Sequence, residues 1–320
     1  MKYSKDEARS WVKENVSGII DAMTTPFTSD LEIDELALRN NIRHCLQLDI
    51  NGVYVCGTVG EFWALSDNER KRILNITVDE VGDRAIVVCH TGHSSFKSAL
   101  NLTKHAEEAG DDIAVIILPY VQGRSNNGLV QFYKKIAEQV DIGIGLYNTP
   151  FSGFVLSPEI IAKLVLEIPN ICAVKTAFGD FRHTTKVRQL VGEKVIVSGV
   201  YLDYWLNGER CQFGGVAGHF YQNDKLKPVK EFVDLMMNGN DAMASKLYNQ
   251  AISPLDRIFD RYITTPMRKG VYDIPYFKSW EEFMGMQGGL VRPPLNNIKI
   301  EERNSFQKNL RTTFNKVGLL

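Results

Sequence analysis

The sequence has no long hydrophobic run, almost no net charge and no signal-peptide pattern. No apolar stretch approaches the roughly 20 residues that span a bilayer, and the N-terminal segment is charged and helix-like rather than apolar. A net charge of -1 over 320 residues gives no excess of positive charge for binding nucleic acid or an anionic membrane. We therefore expect a cytoplasmic protein that binds neither nucleic acid nor membrane.

Paired cysteines and clustered histidines are missing as well. The five cysteines are scattered and form no CxxC pair, and Cys56, Cys89 and Cys172 lie in apolar, strand-like runs. We expect reduced thiols that pack as small hydrophobic side chains. His90 and His93 are three residues apart but have no third ligand nearby, so no metal site is predicted.

The sequence does contain a repeated alternation of β-branched-rich runs and helical patterns. Eight runs are typical of strands: Ile19–Met23, Val53–Cys56, Ala85–Cys89, Ile113–Leu118, Ile142–Tyr147, Cys172–Lys175, Val195–Ser198 and Gly215–Ala217. Helix signals lie between them, such as the capping box Ser66-x-x-Glu69 and the stop at Gly110. Eight strands alternating with helices predict an α/β fold, a (β/α)8 TIM barrel.

A doubly wound nucleotide-binding fold is the main alternative architecture. It would need a glycine-rich turn between its first strand and helix. The nearest candidate, Gly143-x-Gly145, lies inside a strand, and no P-loop pattern is present. We reject this alternative.

The alternation ends near Phe220. Residues 225–260 have the pattern of a long helix, and a second helical stretch follows Glu301. We predict a barrel with a short N-terminal helix over residues 1–220 and a helical extension packed on it over residues 221–320.

Lys175 is the residue most indicative of chemistry, because it lies in the apolar run of the sixth predicted strand. Burying an ammonium is costly unless the group is paired or its pKa falls. A lysine that loses its proton easily is a nucleophile able to form a Schiff base with a carbonyl substrate. Active sites of such barrels lie at the C-terminal ends of the strands. Other strand ends on that rim carry Gly57-Thr58-Val59-Gly60-Glu61, Tyr120, Tyr147-Asn148-Thr149-Pro150, Ser198 and Ala217-Gly218-His219.

Three motifs together resemble a known family: GTVGE at 57–61, YNTP at 147–150 and AVKTAFGD at 173–180. In order and spacing they are similar to the pyruvate-dependent class I aldolase superfamily, which contains dihydrodipicolinate synthase and N-acetylneuraminate lyase. The resemblance extends over the barrel and the C-terminal helices. It implies a lyase or aldolase that acts on pyruvate and an aldehyde, without a separate cofactor because the imine forms on a lysine. It also implies a homo-oligomer, a dimer or tetramer.

The resemblance implies the reactive groups. Lys175 would form the Schiff base with the ketone of pyruvate. Tyr147 would be the general acid/base, provided that its hydroxyl lies within hydrogen-bond reach of the reacting centre. Glu61 is interpreted as structural, tying its loop to neighbouring groups.

The substrate-binding groups are implied in the same way. The Thr58 hydroxyl and the N–H groups of Thr58 and Val59 would hold the pyruvate carboxylate, and Gly57 would allow a close approach. The Ala217 carbonyl would face the pyruvyl group. Tyr120 would either pack at the rim or line the pocket.

The chain also departs from the synthase pattern. Val59 replaces a hydroxyl residue, and Val121 replaces a second tyrosine. Residues 151–154 (FSGF) lack the arginine that grips the carboxylate of aspartate semialdehyde. With Phe178, these residues favour an apolar or aromatic aldehyde, as in the hydratase-aldolases, over the reaction of lysine biosynthesis.

Three other functions stay open. A 2-keto-3-deoxy sugar acid dehydratase/aldolase would use the same imine, and a dehydratase would release water and retain all carbons. A sialic-acid-type lyase would need polar groups, which Thr176, Asp180 and Asp203 offer. A catalytically silent binding protein is the alternative from another class, and the joint presence of the lysine, tyrosine and threonine argues against it.

Overall fold

A computed structural model of the chain describes residues 2–120, 125–177, 180–271 and 273–320. Its strands are β1 (Gly18–Ala22), β2 (Gly52–Val55), β3 (Ile86–His90), β4 (Ile113–Ile117), β5 (Gly143–Asn148), β6 (Ile171–Thr176), β7 (Ile196–Ser198) and β8 (Cys211–Gly215). They pair in parallel in the order β7-β6-β5-β4-β3-β2-β1-β8. The predicted (β/α)8 barrel is confirmed.

Helices alternate with the strands and then form the C-terminal part of the chain. They are α1 (Ala8–Asn15), α2 (Glu35–Gln47), α3 (Asp67–Val81), α4 (Phe96–Ala109), α5 (Asn126–Ala137), α6 (Pro158–Glu167), α7 (Phe181–Val191), α8 (Ala217–Phe220), α9 (Pro228–Met237), α10 (Asp241–Leu247), α11 (Ser253–Phe259), α12 (Thr265–Arg268), α13 (Ile274–Phe283) and α14 (Ile300–Val317). Two π-helical segments, Tyr248–Ile252 and Asp260–Thr264, join α10, α11 and α12. None of these helices has the length and apolar composition of a membrane span.

Local signals in the sequence set several helix ends. Ser66 and Glu69 form the predicted capping box at the start of α3, which satisfies N–H groups that have no partner inside the helix. Gly110 ends α4 with a φ of 89°, a left-handed conformation that glycine adopts without a steric cost. All five cysteines are unpaired and buried, as expected of small core side chains.

The barrel closes between β7 and β8 through side chains, because no regular ladder joins these two strands in the described structure. The Ser198 hydroxyl accepts a hydrogen bond from the Phe213 N–H at 2.9 Å and lies 2.6 Å from the Cys211 carbonyl oxygen, to which it donates. Gln212 donates to the Val200 carbonyl at 3.0 Å. Strand β8 is thereby held beside β7.

The predicted position of the eighth strand is wrong. The strand spans Cys211–Gly215, whereas Ala217 begins the short helix α8. Polar Gln212 interrupts the apolar run that would have marked the strand in the sequence. Its side chain is nevertheless buried, and its Nε2 group is satisfied by the bond to the Val200 carbonyl.

The C-terminal helices pack on the barrel instead of extending away from it. The rings of Trp280 and Phe220 stack at 4.8 Å, and the Trp280 indole N–H donates to the Phe220 carbonyl at 3.2 Å. The predicted long helix over 225–260 is interrupted, since Gly239 has a φ of 74° after α9. The predicted boundary at residue 220 falls between α8 and α9, and one hydrophobic cluster includes residues on both sides of it.

We predict that Ser198→Ala lowers the free energy of unfolding by about 1–3 kcal/mol, because it leaves a buried N–H and a buried carbonyl without their partner. Denaturant unfolding followed by circular dichroism measures the change. Ser10→Ala is the matched control, because that hydroxyl caps an exposed turn and its loss should change stability far less. Equal effects of the two substitutions would contradict the closing role of Ser198.

Candidate active site

The strand register brings Lys175 and Tyr147 side by side. The two residues are paired across β5 and β6, and side chains at paired positions of neighbouring parallel strands point to the same face of the sheet. Both are buried, with 3% and 2% of their surface exposed. The barrel therefore presents an amine and a phenol together at the C-terminal ends of adjacent strands.

The Lys175 amine has an unusual environment for a cation. Its Nζ lies 4.3 Å from the centre of the Tyr54 ring and 4.5 Å from that of Tyr147. It donates to the Gly214 carbonyl at 3.3 Å, and no carboxylate of the described residues is within ion-pair distance. Burial without a counter-charge lowers the pKa of Lys175 to about 7. Much of the amine is therefore unprotonated, and nucleophilic, at neutral pH.

Tyr147 is linked to the loop after β2. Its hydroxyl shares a hydrogen bond of 2.8 Å with the Thr58 hydroxyl. Burial raises the pKa of Tyr147 to about 12, while hydrogen bonds from Thr58 and Thr149 act in the opposite direction. The phenol is therefore protonated at neutral pH, and it can donate a proton and recover one through Thr58.

The loop of residues 57–61 has a strained backbone at both ends. Cys56 and Glu61 have φ values of 54° and 56°, a left-handed conformation that costs a non-glycine residue about 1–2 kcal/mol. The Glu61 N–H bonds back to the Thr58 carbonyl at 3.1 Å. The N–H groups of Thr58 and Val59 bond to no other described residue, so they are available to an anionic ligand.

Residues far along the chain hold this loop in place. Lys278, on α13, forms an ion pair of 2.7 Å with Glu61 Oε1, and both side chains are buried. Glu61 Oε2 accepts from the Arg292 N–H at 3.0 Å. Lys278 also donates to the Thr25 carbonyl at 2.8 Å. The C-terminal extension thus fixes the backbone that would receive a carboxylate.

A cavity of about 620 Å³, which includes its open mouth, lies in front of the amine. Apart from the groups around Lys175, its walls are mainly aliphatic and aromatic. The lining residues are Ala22, Tyr54, Thr58, Val59, Tyr147, Phe151, Lys175, Ala177, Val200, Tyr201, Gly214, Gly215, Val216, Phe259, Met267 and Phe277. Such a site suits a small ligand whose reactive end is polar and whose remainder is apolar.

Four of the site residues predicted from sequence meet at this cavity: Lys175, Tyr147, Thr58 and Val59. Gly57 lies beside it, where a Cβ atom would come within 2.7 Å of the Tyr54 ring. Its small size therefore serves the packing of that ring as well as the turn.

Tyr120 and Ala217 are not brought to the cavity. Tyr120 lies three residues beyond the end of β4 and is 42% exposed, with its ring 6.4 Å from that of Phe62. The Ala217 carbonyl accepts the Tyr221 N–H inside α8, because β8 ends earlier than predicted. The Gly214 carbonyl instead contacts Lys175. Two further residues of the sequence argument, Val121 and Phe178, are outside the described residues.

Sequence reasoning missed several residues of the site. Tyr54 and Gly214 contact the amine, while Phe259, Met267 and Phe277 line the cavity from the C-terminal helices. One signal was available for Tyr54, since it is a large polar aromatic residue in the middle of a short aliphatic strand. Nothing local marks the three residues from the C-terminal helices.

His90 lies at the end of β3, near the amine. Its ring is 6.2 Å from that of Tyr147, and Arg70 donates to its carbonyl. Burial, followed by the charges of Arg70 and Lys175, lowers the pKa of His90 well below its usual value, so its imidazole is neutral. In the part of the chain that the structure describes, no three His, Cys, Asp or Glu residues are grouped to hold a metal ion.

The sequence is similar to known enzymes along nearly its whole length. The model of the dihydrodipicolinate synthetase family matches residues 15–313. The 4-hydroxy-tetrahydrodipicolinate synthase of Methanopyrus kandleri is 33% identical over 311 residues, which cover 95% of this chain and 97% of that enzyme. The enzyme of the same name from Methanothrix thermoacetophila is 34% identical over 283 residues, 87% of this chain and 90% of its own.

Solved structures show the same architecture. Dihydrodipicolinate synthase from Aquifex aeolicus is 25% identical and superposes with a TM-score of 0.81, covering 95% of this chain and 98% of that one. A prophage protein of the dihydrodipicolinic acid synthase family from E. coli K12, solved in complex with pyruvate, has a TM-score of 0.81 at 23% identity and covers 95% and 99%. The second likeness shows the fold alone.

We predict that Glu61→Gln lowers the free energy of unfolding by about 3–5 kcal/mol, because it removes the carboxylate that forms the ion pair with the buried Lys278 ammonium. Denaturant unfolding measures the loss. The double variant Glu61→Gln/Lys278→Met should be less destabilised than Glu61→Gln, because it also removes the uncompensated charge.

The exposed pair Lys230–Asp234 provides the control for this prediction. Asp234→Asn should leave the free energy of unfolding almost unchanged, since ion pairs in water contribute little. If Glu61→Gln behaved like Asp234→Asn, the ion pair would not be what holds the loop.

Proposed function

The chain belongs to the dihydrodipicolinate synthetase family, and from this membership and the cavity geometry we propose that it is a Schiff-base lyase or aldolase that joins pyruvate to, or releases it from, an apolar or aromatic aldehyde. The observation that carries the proposal is the contact of an uncompensated buried amine, Lys175, with the Tyr147 phenol. Family members are lyases of the class I aldolase type, which supports the general reaction.

The proposed reaction begins with attack of the neutral Lys175 amine on C2 of pyruvate. The carbinolamine loses water and leaves an iminium, with Tyr147 supplying the proton that the departing hydroxyl needs. Loss of a C3 proton to the Tyr147 phenolate gives an enamine. The enamine adds to the carbonyl carbon of the aldehyde, Tyr147 returns the proton to the carbonyl oxygen, and the iminium forms again. Water then cleaves the iminium to release the product and regenerate the amine. Cleavage is the same sequence in reverse.

Thr58 and Val59 are proposed to hold the pyruvate carboxylate. Their N–H groups are uncommitted to other described residues, and the Thr58 hydroxyl is beside the Tyr147 hydroxyl. Charge-assisted hydrogen bonds from backbone N–H groups to a carboxylate are among the stronger polar contacts in proteins. They would place the ketone carbon toward Lys175.

The apolar wall of the cavity supports the choice of aldehyde. Phe151, Met267 and Phe277 belong to it, and no arginine is among the described residues that line the cavity. An aldehyde that carries its own carboxylate would lose solvation there without gaining a cationic partner. An aryl or alkyl aldehyde would instead bury apolar surface against these side chains.

A polyol chain, as in sialic acids or sugar acids, is less well supported. The Thr176 hydroxyl bonds to Thr184 and to the Ser198 carbonyl, and Asp180 caps α7 by accepting from the His183 N–H. Asp203, the third polar residue that could bind a polyol chain, lies in a neighbouring cavity bounded by Tyr201 and Phe259.

Synthesis of 4-hydroxy-tetrahydrodipicolinate is the second candidate, because the relatives at 33–34% identity carry that name. It would require a partner for the carboxylate of the aldehyde. Arg268 lies in the neighbouring cavity, and it would have to reach the substrate past Tyr201.

The remaining parts of the proposal follow from the family resemblance. The imine at Lys175 would make a separate cofactor unnecessary. A homo-oligomer in the cytoplasm stays a prediction, and the exposed Leu166 and Leu190 on neighbouring helices are compatible with contact to a second copy.

We predict that pyruvate with borohydride adds a reduced pyruvyl mass irreversibly to Lys175. The trapping rate should rise with pH and be half-maximal near pH 7, because only the unprotonated amine attacks and the pKa of Lys175 is about 7. Peptide mass spectrometry locates and quantifies the adduct. A half-maximum near pH 10, the usual value for lysine, would show that the amine is not desolvated in solution.

Two variants control this experiment. Lys175→Ala should give no adduct at this peptide. Tyr147→Phe should still be trapped but turn over roughly 100-fold more slowly, since general acid/base catalysis contributes about that much or more. An adduct of the same size in Lys175→Ala would sink the proposal.

We predict that pyruvate release is fastest from 4-hydroxy-2-oxo acids with an aryl group at the far end. The comparison uses matched substrates that carry an aryl, a carboxylate or a polyol group, with kcat/KM measured through coupled pyruvate detection. The aryl substrate should exceed the other two at least about ten-fold, the effect of one or two buried methylenes in a pocket. Phe151→Arg should reduce the ratio of kcat/KM for the aryl substrate to kcat/KM for the carboxylated one, because the arginine would pair with the substrate carboxylate. Preference of the unaltered enzyme for the carboxylated substrate would instead favour the synthase reaction.

A further inference from the structure

Tyr54 has no part in the reaction as described, yet its ring contacts the reacting nitrogen. It lies on β2, fully buried, and its ring centre is 4.3 Å from Lys175 Nζ, slightly closer than that of Tyr147. The contact spans the barrel interior, because β2 and β6 are not neighbours in the sheet.

The surrounding backbone is shaped to hold this ring. A Cβ atom on Gly57 would come within 2.7 Å of the Tyr54 ring, and one on Gly214 would come within 2.6 Å. Phe213 lies behind it, at 6.2 Å between ring centres. The Tyr54 hydroxyl has no hydrogen-bond partner in the described structure. The ring, and not the hydroxyl, is therefore the part of Tyr54 that contacts the nitrogen.

Besides the ring of Tyr147, whose centre is 4.5 Å from the nitrogen, the site offers little else to a positive charge at this position. Among the described residues no carboxylate pairs with Lys175, His90 is neutral, and Tyr147 is protonated. The Gly214 carbonyl accepts from the free amine, but an iminium has only one N–H. The face of an aromatic ring carries partial negative charge and attracts a cation within about 6 Å, most strongly where water is excluded.

We propose that the face of the Tyr54 ring is a further catalytic group, which stabilises the positive charge on the Lys175 nitrogen, first as ammonium and then as iminium. This inference rests on the proposed function for the iminium, but not for the ammonium. The proposal also explains why this buried cation site contains no counter-ion among the described residues. The ring attracts the cation, whereas a negatively charged group would raise the pKa of Lys175 back toward that of a free lysine.

The test replaces Tyr54 by phenylalanine and then by phenylalanines with one, two, three and five fluorine atoms, introduced by nonsense suppression. Fluorine withdraws charge from the ring face and changes the shape little. Tyr54→Phe should bind pyruvate as the trapped imine within about three-fold of the unaltered protein. The equilibrium constant for the imine should then fall stepwise, by about ten-fold or more for the pentafluoro ring, in line with the strength of desolvated cation–π contacts.

The same fluorine series at Phe213 is the matched control, because that ring is buried beside Tyr54 but is not in contact with Lys175. It should leave the imine constant unchanged at every step. A flat response at position 54, or equal slopes at positions 54 and 213, would overturn the inference.

A second readout separates this inference from the proposed function. Reductive methylation of Lys175 by formaldehyde and cyanoborohydride, followed across pH by peptide mass spectrometry, reports the ammonium without pyruvate. Fluorination at position 54 should lower the pH midpoint stepwise, since a weaker ring stabilises the cation less. A protein that forms no pyruvate adduct but shows this trend would contradict the proposed function alone. The absence of the trend would refute the role of Tyr54.

Discussion

The site depends on one constraint, the burial of an amino group with no counter-charge among its described neighbours. Desolvation brings the pKa of Lys175 to about 7, so the amine is a nucleophile at the pH where imine chemistry is useful. The same burial makes the later positive charge on this nitrogen costly. The groups that contact this nitrogen are the Gly214 carbonyl and the rings of Tyr54 and Tyr147. A carboxylate in their place would hold the lysine protonated.

A second buried amine differs in having a counter-charge. Lys278 forms an ion pair with Glu61 and also donates to the Thr25 carbonyl. Burial lowers the pKa of Lys278, while the Glu61 carboxylate acts in the opposite direction. This pair connects α13 to a loop that has strained residues at both ends, and such strain persists only where the surrounding structure over-determines it. The C-terminal extension therefore contributes to the cavity, because it holds the loop whose residues Thr58 and Val59 line it.

Much of the fold was predictable because the hydrophobic patterns of strands and helices have different periods. The barrel alternates the two patterns along the chain. The caps at Ser66 and Gly110 were predictable for local reasons, as each forms through bonds a few residues apart. The eighth strand was misplaced because Gln212 is polar and its buried amide is paired with the Val200 carbonyl, two residues beyond the end of β7. The break after α9 was missed because Gly239 takes up a left-handed conformation that the apolar pattern on either side does not reveal.

The sequence by itself determined the pairing of Lys175 with Tyr147. Each residue lies one position before the end of its strand, and parallel register across one strand pair brings them together. Only the tertiary structure decided what else surrounds the amine. The ring of Tyr54 reaches it across the barrel, Gly214 contacts it from a strand that was predicted elsewhere, and part of the apolar cavity wall comes from the C-terminal helices. Local patterns encode strand ends, but contacts across the barrel depend on how the whole sheet closes.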